Sequence, residues 1–87
     1  MIGGTNNLQH FSRGECLLQY WLNNRGISQA ELSRRTGYST RIVSYWCNNE
    51  RLMNADAMYT VSVILNIRMD QLYTWRLNAN SSRRMRD

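Results

Sequence analysis

Four hydrogen-bonding residues interrupt a short apolar pattern in the segment GYSTRIVSYWCNN: Thr40, Arg41, Ser44 and Tyr45. Val43 and Trp46 are three residues apart and would share one face of a helix, which leaves the polar residues on the opposite and flanking sides. The guanidinium fork of Arg41 matches phosphates and guanine edges bidentately. The segment therefore predicts a short helix with an outer face suited to nucleic acid.

The charge of the chain favours the same class of partner. The 87 residues carry a formal net charge of +5, and all eleven basic residues are arginine. A basic balance of this size suits an anionic partner, most often nucleic acid.

Several other classes of protein are disfavoured by the composition. The length fits one small domain, and no apolar run is long enough to cross a membrane. Cys16 and Cys47 stand far apart in sequence, and with His10 as the single histidine a metal site lacks ligands. No pairing of residues suggests catalysis. We therefore expect a cytoplasmic protein that is not an enzyme, without metal or cofactor, whose cysteines are reduced apolar side chains.

Capping residues mark the starts of helices along the chain. A serine followed three residues later by glutamate is a capping box, which satisfies free backbone donors. The capping boxes are Ser12 with Glu15 and Ser28 with Glu31, and Ser39 and Asn54 are predicted as single N-cap residues. The corresponding ends fall at 23–26, at Gly37, near Cys47 or Asn48, and at Asn66.

The overall expectation is an all-α domain, a compact bundle of five short helices. The fourth helix spans about 55–65, and the fifth carries Met69, Leu72 and Tyr73 on its inner face. A sheet is not expected, because period-2 alternation is not sustained. Residues 1–11 are predicted to be a flexible arm, residues 12–77 the domain, and residues 78–87 a flexible basic tail.

The steep joint at residues 36–39 predicts a helix-turn-helix unit. Such a unit needs a small residue in its first helix, a turn residue that allows positive φ, and an apolar anchor in its second helix. Ser33, Gly37 and Val43 meet these needs. This geometry projects the second helix outward, as a DNA major groove requires.

The segment GISQAELSRRTGYSTRIVSYW resembles the Cro/repressor-type (XRE, lambda-repressor-like) helix-turn-helix family. The residues that match the family pattern are Gly26, Ile27, Ser28, Gln29, Glu31, Leu32, Gly37, Ser39, Val43, Ser44 and Trp46. The resemblance covers about residues 12–75. Ser33, Asn49 and Glu50 depart from it, where the family usually has alanine, glycine, and lysine or arginine.

The resemblance implies binding to the major groove of double-stranded DNA. The residues that it places against base edges are Thr40, Arg41, Ser44 and Tyr45. The residues that it places against the DNA backbone are Gln29, Ser39, Asn48 and Arg51. The arrangement of apolar residues agrees on which side of the third helix faces outward.

The function expected from these observations is a sequence-specific transcriptional regulator, a small phage or bacterial repressor that occupies an operator and is associated with the nucleoid. The alternative is a protein-interaction module on the same fold, such as an antitoxin or antirepressor adaptor, and a regulatory protein partner fits either view. Tyr73, Trp75 and Leu77 could form a homodimer interface. Trp75 could instead fold back as a lid on the domain.

Overall fold

The computed structural model describes residues 10–78. A β-strand β1 (Phe11–Cys16) is followed by four α-helices: α1 (Leu18–Arg25), α2 (Gln29–Thr36), α3 (Thr40–Cys47) and α4 (Ala55–Leu65). A 3-10 turn (Met69–Leu72) then leads into a second strand, β2 (Tyr73–Leu77). The two strands pair antiparallel as a small sheet beside the helices.

The expectation of an all-α bundle of five helices is therefore wrong. The predicted capping box at Ser12 does not start a helix, because Ser12 and Glu15 lie within β1 and α1 begins only at Leu18. The predicted fifth helix is a 3-10 turn that ends at Leu72, and Tyr73 is the first residue of β2.

The caps of the other helices are confirmed. The side chains of Ser28, Ser39 and Asn54 each accept a hydrogen bond from a backbone N–H in the first turn of α2, α3 and α4, respectively. Gly37 and Asn66 end α2 and α4 in the left-handed conformation, as expected of C-cap residues. Ser28, Gly37 and Ser39 therefore set where α2 begins and ends and where α3 begins.

Side-chain hydrogen bonding replaces regular pairing in the middle of the sheet. Phe11 pairs with Leu77 and Cys16 with Tyr73, and the register shifts between them. At this bulge the Glu15 N–H donates to Thr74 Oγ1 over 2.9 Å. A Cβ at Gly14 would collide with the Thr74 hydroxyl, so the close approach of the strands requires glycine here.

The core joins all the helices to one end of the sheet. Its largest fully buried residues are Tyr73, Leu18, Leu22, Leu32, Met53, Leu65, Leu72, Val43 and Val61. Burial of side chains of this size contributes about 1.5–3 kcal/mol each, before the cost of ordering the chain. Because Val43 of α3 is part of this core, the core fixes the position of α3.

The sheet also holds the loop that follows α3. Arg13 Nη1 donates to the Met53 carbonyl over 2.6 Å, and the Met53 N–H donates to the buried Tyr73 hydroxyl over 3.0 Å. The Cys16 N–H donates to Asn49 Oδ1 over 2.7 Å. Both strands therefore brace the C-terminal end of α3, a role that the helical interpretation of residues 12–16 missed.

The structure describes only small parts of the predicted N-terminal arm and C-terminal tail. Phe11, assigned to the flexible arm, begins β1. Residues 1–9 of the predicted arm and residues 79–87 of the predicted basic tail lie outside the described residues. Within residues 10–78, no helix combines the length and the hydropathy needed to cross a membrane.

Candidate nucleic-acid interface

Hydrogen bonds lock the turn between α2 and α3. The Ser33 hydroxyl donates to the Tyr38 carbonyl over 2.6 Å, and Thr36 Oγ1 accepts from the Tyr38 N–H over 3.2 Å. Gly37 has φ 86°, a left-handed conformation that side chains rarely adopt. Ser33, which departs from the usual alanine, therefore adds a bond that fixes the joint.

Two buried residues anchor α3 to the domain. Val43 is fully buried, and Trp46 is 3% exposed. The Trp46 ring meets the Tyr38 ring edge to face, with centroids 5.1 Å apart, a geometry that favours the pair beyond simple burial. The turn and the helix it projects are therefore one packed unit.

The residues predicted to read bases differ in exposure. Thr40 and Arg41 are exposed in the first turn of α3, whereas Ser44 and Tyr45 are half-buried one turn later. All four lie away from the anchor residues. The N-terminal half of α3 is consequently the part most open to a partner.

The residues predicted to contact the DNA backbone border this face. The Ser39 hydroxyl oxygen caps α3 by accepting from the Ile42 N–H over 3.2 Å, which leaves its hydrogen free to donate. Asn48 is exposed just after α3. Gln29, half-buried at the first position of α2, donates through Nε2 to Gln19 Oε1 over 2.7 Å.

Arg51 returns to the side of α3 through a tight loop. The N–H groups of Glu50 and Arg51 both donate to the Tyr45 carbonyl, over 2.8 and 3.3 Å. Asn49 adopts φ 61° in this loop, as expected for the residue replacing the family glycine. The Arg51 guanidinium lies 5.0 Å from the centroid of the Tyr45 ring, which places a positive charge beside the outer face of α3.

Most arginines in residues 10–78 already have a hydrogen-bond or ion-pair partner within the protein. Arg34 and Arg35 form ion pairs with Glu31. Arg25 donates to the Leu65 carbonyl, and Arg68 pairs with Asp70. Within the same residues, the guanidinium groups that neither donate a hydrogen bond nor form an ion pair are those of Arg41, Arg51 and Arg76. Two of these three lie on α3 or in the loop that follows it.

The residues predicted to form a dimer interface differ in their exposure. Tyr73 is 2% exposed and belongs to the core, so it offers no surface. Trp75 and Leu77 are 43% and 50% exposed on the same face of β2, and Phe11, paired with Leu77, is 65% exposed. Trp75 Nε1 also donates to the Asp70 carbonyl over 2.7 Å, so its ring is partly folded back.

The cysteines fit the prediction of reduced apolar side chains. Both are free, with Cys16 buried and Cys47 half-buried. Burial raises the pKa of the Cys47 thiol to about 11, and the neighbouring Cys16 adds to the rise. Among the residues that the structure describes, no group of three or more His, Cys, Asp or Glu side chains could hold a metal ion.

Burial also raises the pKa of the Cys16 thiol above its ordinary value, and the two raised pKa values predict thiols of low reactivity. Only about a thousandth of Cys47 would be thiolate at about pH 8, so both thiols should react with a disulfide reagent far more slowly in the folded protein than in denaturant. The pKa of the Cys47 thiol in the folded protein lies above its ordinary value of 9.0. The contribution of this thiol to the free energy of unfolding is therefore complete below pH 9.0 and is lost as pH rises towards 11. Rapid reaction of either thiol in the folded protein at about pH 8 would contradict this assignment.

Two residues beside the site were not singled out from the sequence. Gln19 reaches Gln29 from another helix, and no local pattern marks such a contact. Phe11 belongs to the exposed sheet face because it pairs with Leu77. The two residues are separated in sequence by nearly the whole domain. The alternating residues YTWRL, rich in β-forming types, carried a signal for β2.

A locked turn between two short helices, the second of them anchored on one side and open on the other, defines a helix-turn-helix DNA-binding domain. The profile of the Cro/C1-type HTH DNA-binding domain matches residues 18–77, from α1 to the end of β2. The chain belongs to this family, which supports a DNA-binding regulator. No curated protein and no solved structure matches the chain significantly.

Proposed function

We propose that this protein is a sequence-specific repressor of the phage or bacterial type, which occupies an operator with α3 in the major groove. The observation that carries the proposal is the unpaired Arg41 guanidinium on the open side of a rigidly anchored helix. An α-helix fits the major groove, and arginine to guanine O6 and N7 is the commonest specific contact there. Thr40, Ser44 and Tyr45 would complete the base-reading surface.

Contacts to phosphates would set the register of α3 on the duplex. Ser39 and Gln29 lie at the first turns of α3 and α2, where free N–H groups and the helix dipole favour anions. Asn48 and Arg51 would contact the backbone at the other end of α3. Glu50 is exposed in the same loop, and Arg51 offsets its negative charge.

Salt dependence of DNA binding tests the proposed function. Neutralisation of about two to four phosphates should weaken binding to random-sequence DNA by about 10- to 100-fold between about 50 and 200 mM salt. A duplex enriched by selection should bind more tightly than random DNA at each salt concentration. Absence of DNA binding at low salt would exclude the repressor and favour a protein-interaction module.

We further propose that the protein acts as a homodimer through the face formed by Phe11, Trp75 and Leu77. These side chains extend the core-facing side of the sheet beyond the core, around an open cavity of ≈ 360 Å³ lined by Phe11, Asp70 and Trp75. A two-stranded sheet is marginally stable alone. Two-fold symmetry would also match the half-sites of a palindromic operator.

Replacement of apolar residues on this face should separate the subunits. The double variant Phe11→Ser and Leu77→Ser is expected to sediment as a monomer at concentrations where the wild-type protein is a dimer, because the shared apolar area is lost. Val63→Ser, on the exposed side of α4, is the matched control and should remain dimeric. A wild-type monomer at high concentration, or dissociation by the control alone, would contradict this interface.

A further inference from the structure

A line of three side-chain amides crosses from α1 to the start of α2. Gln29 Nε2 donates to Gln19 Oε1 over 2.7 Å, and Gln19 Nε2 donates to Asn23 Oδ1 over 2.9 Å. Gln19 and Asn23 are one turn apart on α1, so the second bond holds Gln19 along its own helix. Gln29 is thereby attached to a fixed point outside the helix that carries it.

We infer that Gln19 is a positioning residue, which holds the Gln29 amide ready to donate to a DNA phosphate. The inference rests on the proposed function and extends it to a residue that has no place in the helix-turn-helix itself. Gln29 Nε2 carries two hydrogens, and the bond to Gln19 uses one of them. The second remains available, with the side chain already restricted.

The direction of these bonds matters because a phosphate oxygen can only accept. Gln19 presents its own carbonyl oxygen to Gln29, so the Gln29 amide must turn its NH₂ group, and not its oxygen, towards Gln19. Rotation of the Gln29 amide alone would break this bond, and the opposite direction would require all three amides to turn together. In the observed arrangement Gln19 therefore holds the Gln29 NH₂ group as the donor.

The energetic benefit is entropic. A free glutamine side chain loses rotamer freedom when it binds, whereas Gln29 has lost part of that freedom before DNA arrives. The effect on affinity should be modest, about 2- to 5-fold, since one side chain is involved. It should leave base preference unchanged, because phosphates are the same at every position.

The test is a double-mutant cycle measured on one selected duplex at fixed salt. Gln19→Ala and Gln19→Met should each weaken binding by about 2- to 5-fold. Methionine keeps the length of the side chain but removes the hydrogen bond. In a Gln29→Ala background both substitutions should have no effect, since there is no amide left to hold. Asn24→Ala, an exposed residue of α1 whose side chain accepts a hydrogen bond from its neighbour Arg25, is the matched control and should bind as the wild type does.

Two further readouts separate positioning from other roles. Thermal unfolding should be unchanged in Gln19→Ala, because alanine favours the helix and the side chain is exposed. The side-chain amide resonances of Gln29 should shift in the free protein when Gln19 is replaced. Additive losses in the cycle would mean that Gln19 contacts DNA itself, and that result, or no loss at all, would overturn the inference. If the wild-type protein failed to bind DNA, that result would exclude the proposed function, and with it the positioning role of Gln19.

Discussion

Replacement of Arg41 by alanine is expected to weaken binding to the preferred duplex by about 1–3 kcal/mol, roughly 5- to 150-fold, and to relax preference at one base pair. The guanidinium is exposed at the start of α3 and has no partner within residues 10–78, so its donors are available to a guanine edge. Competition between duplexes that differ at single positions would measure both effects.

A matched control separates this contact from the general attraction between charges. Arg76→Ala removes the same charge from another unpaired arginine, which lies on β2 opposite Ser12. It should change affinity little and leave base preference unchanged. If Arg41→Ala instead weakened binding to all sequences equally, Arg41 would be a phosphate contact rather than a base contact.

Replacement of Trp46 by alanine should have the largest effect on stability. The side chain is 3% exposed, and its removal leaves a cavity between α3 and the Tyr38 ring. Such losses cost about 3–5 kcal/mol, a large part of the total for a domain of this size. DNA binding should fall because less of the protein is folded. Denaturant unfolding followed by circular dichroism would measure the change.

Leu52→Ala is the control for the loss of a large apolar side chain. Leu52 is 65% exposed, so its replacement should change the free energy of unfolding by less than about 0.5 kcal/mol. A cost below about 1 kcal/mol for Trp46→Ala would mean that α3 is held by something other than its buried face.

The helix-turn-helix could be predicted from sequence because its signals are local. Ser28 and Ser39 each cap a helix that begins at the next residue, and Gly37 supplies a left-handed conformation within the same turn. Val43 and Trp46 are buried as their spacing requires. The same spacing puts Thr40 and Arg41 on the exposed side of α3, whose contact with DNA stays a prediction.

The alternation in YTWRL indicates a strand, but the pairing of β1 with β2 could not be predicted in the same way, because it is not local. Ser12 and Glu15 have the spacing of a capping box, but in the fold the Glu15 N–H donates to Thr74 Oγ1, far along the chain. Tyr73 is buried, as its predicted place on an inner face requires, but its predicted place in a dimer interface is wrong, since its hydroxyl accepts from the Met53 N–H inside the core. Side chains that act between distant elements carry no periodic signal.

Amide chemical-shift mapping with a selected duplex tests most directly whether α3 is the DNA-reading element. The largest changes on binding are expected at residues 39–51 and at Gln29, with smaller changes over the sheet. Changes concentrated in β1 and β2, or no changes with any duplex at low salt, would contradict a DNA interface on α3.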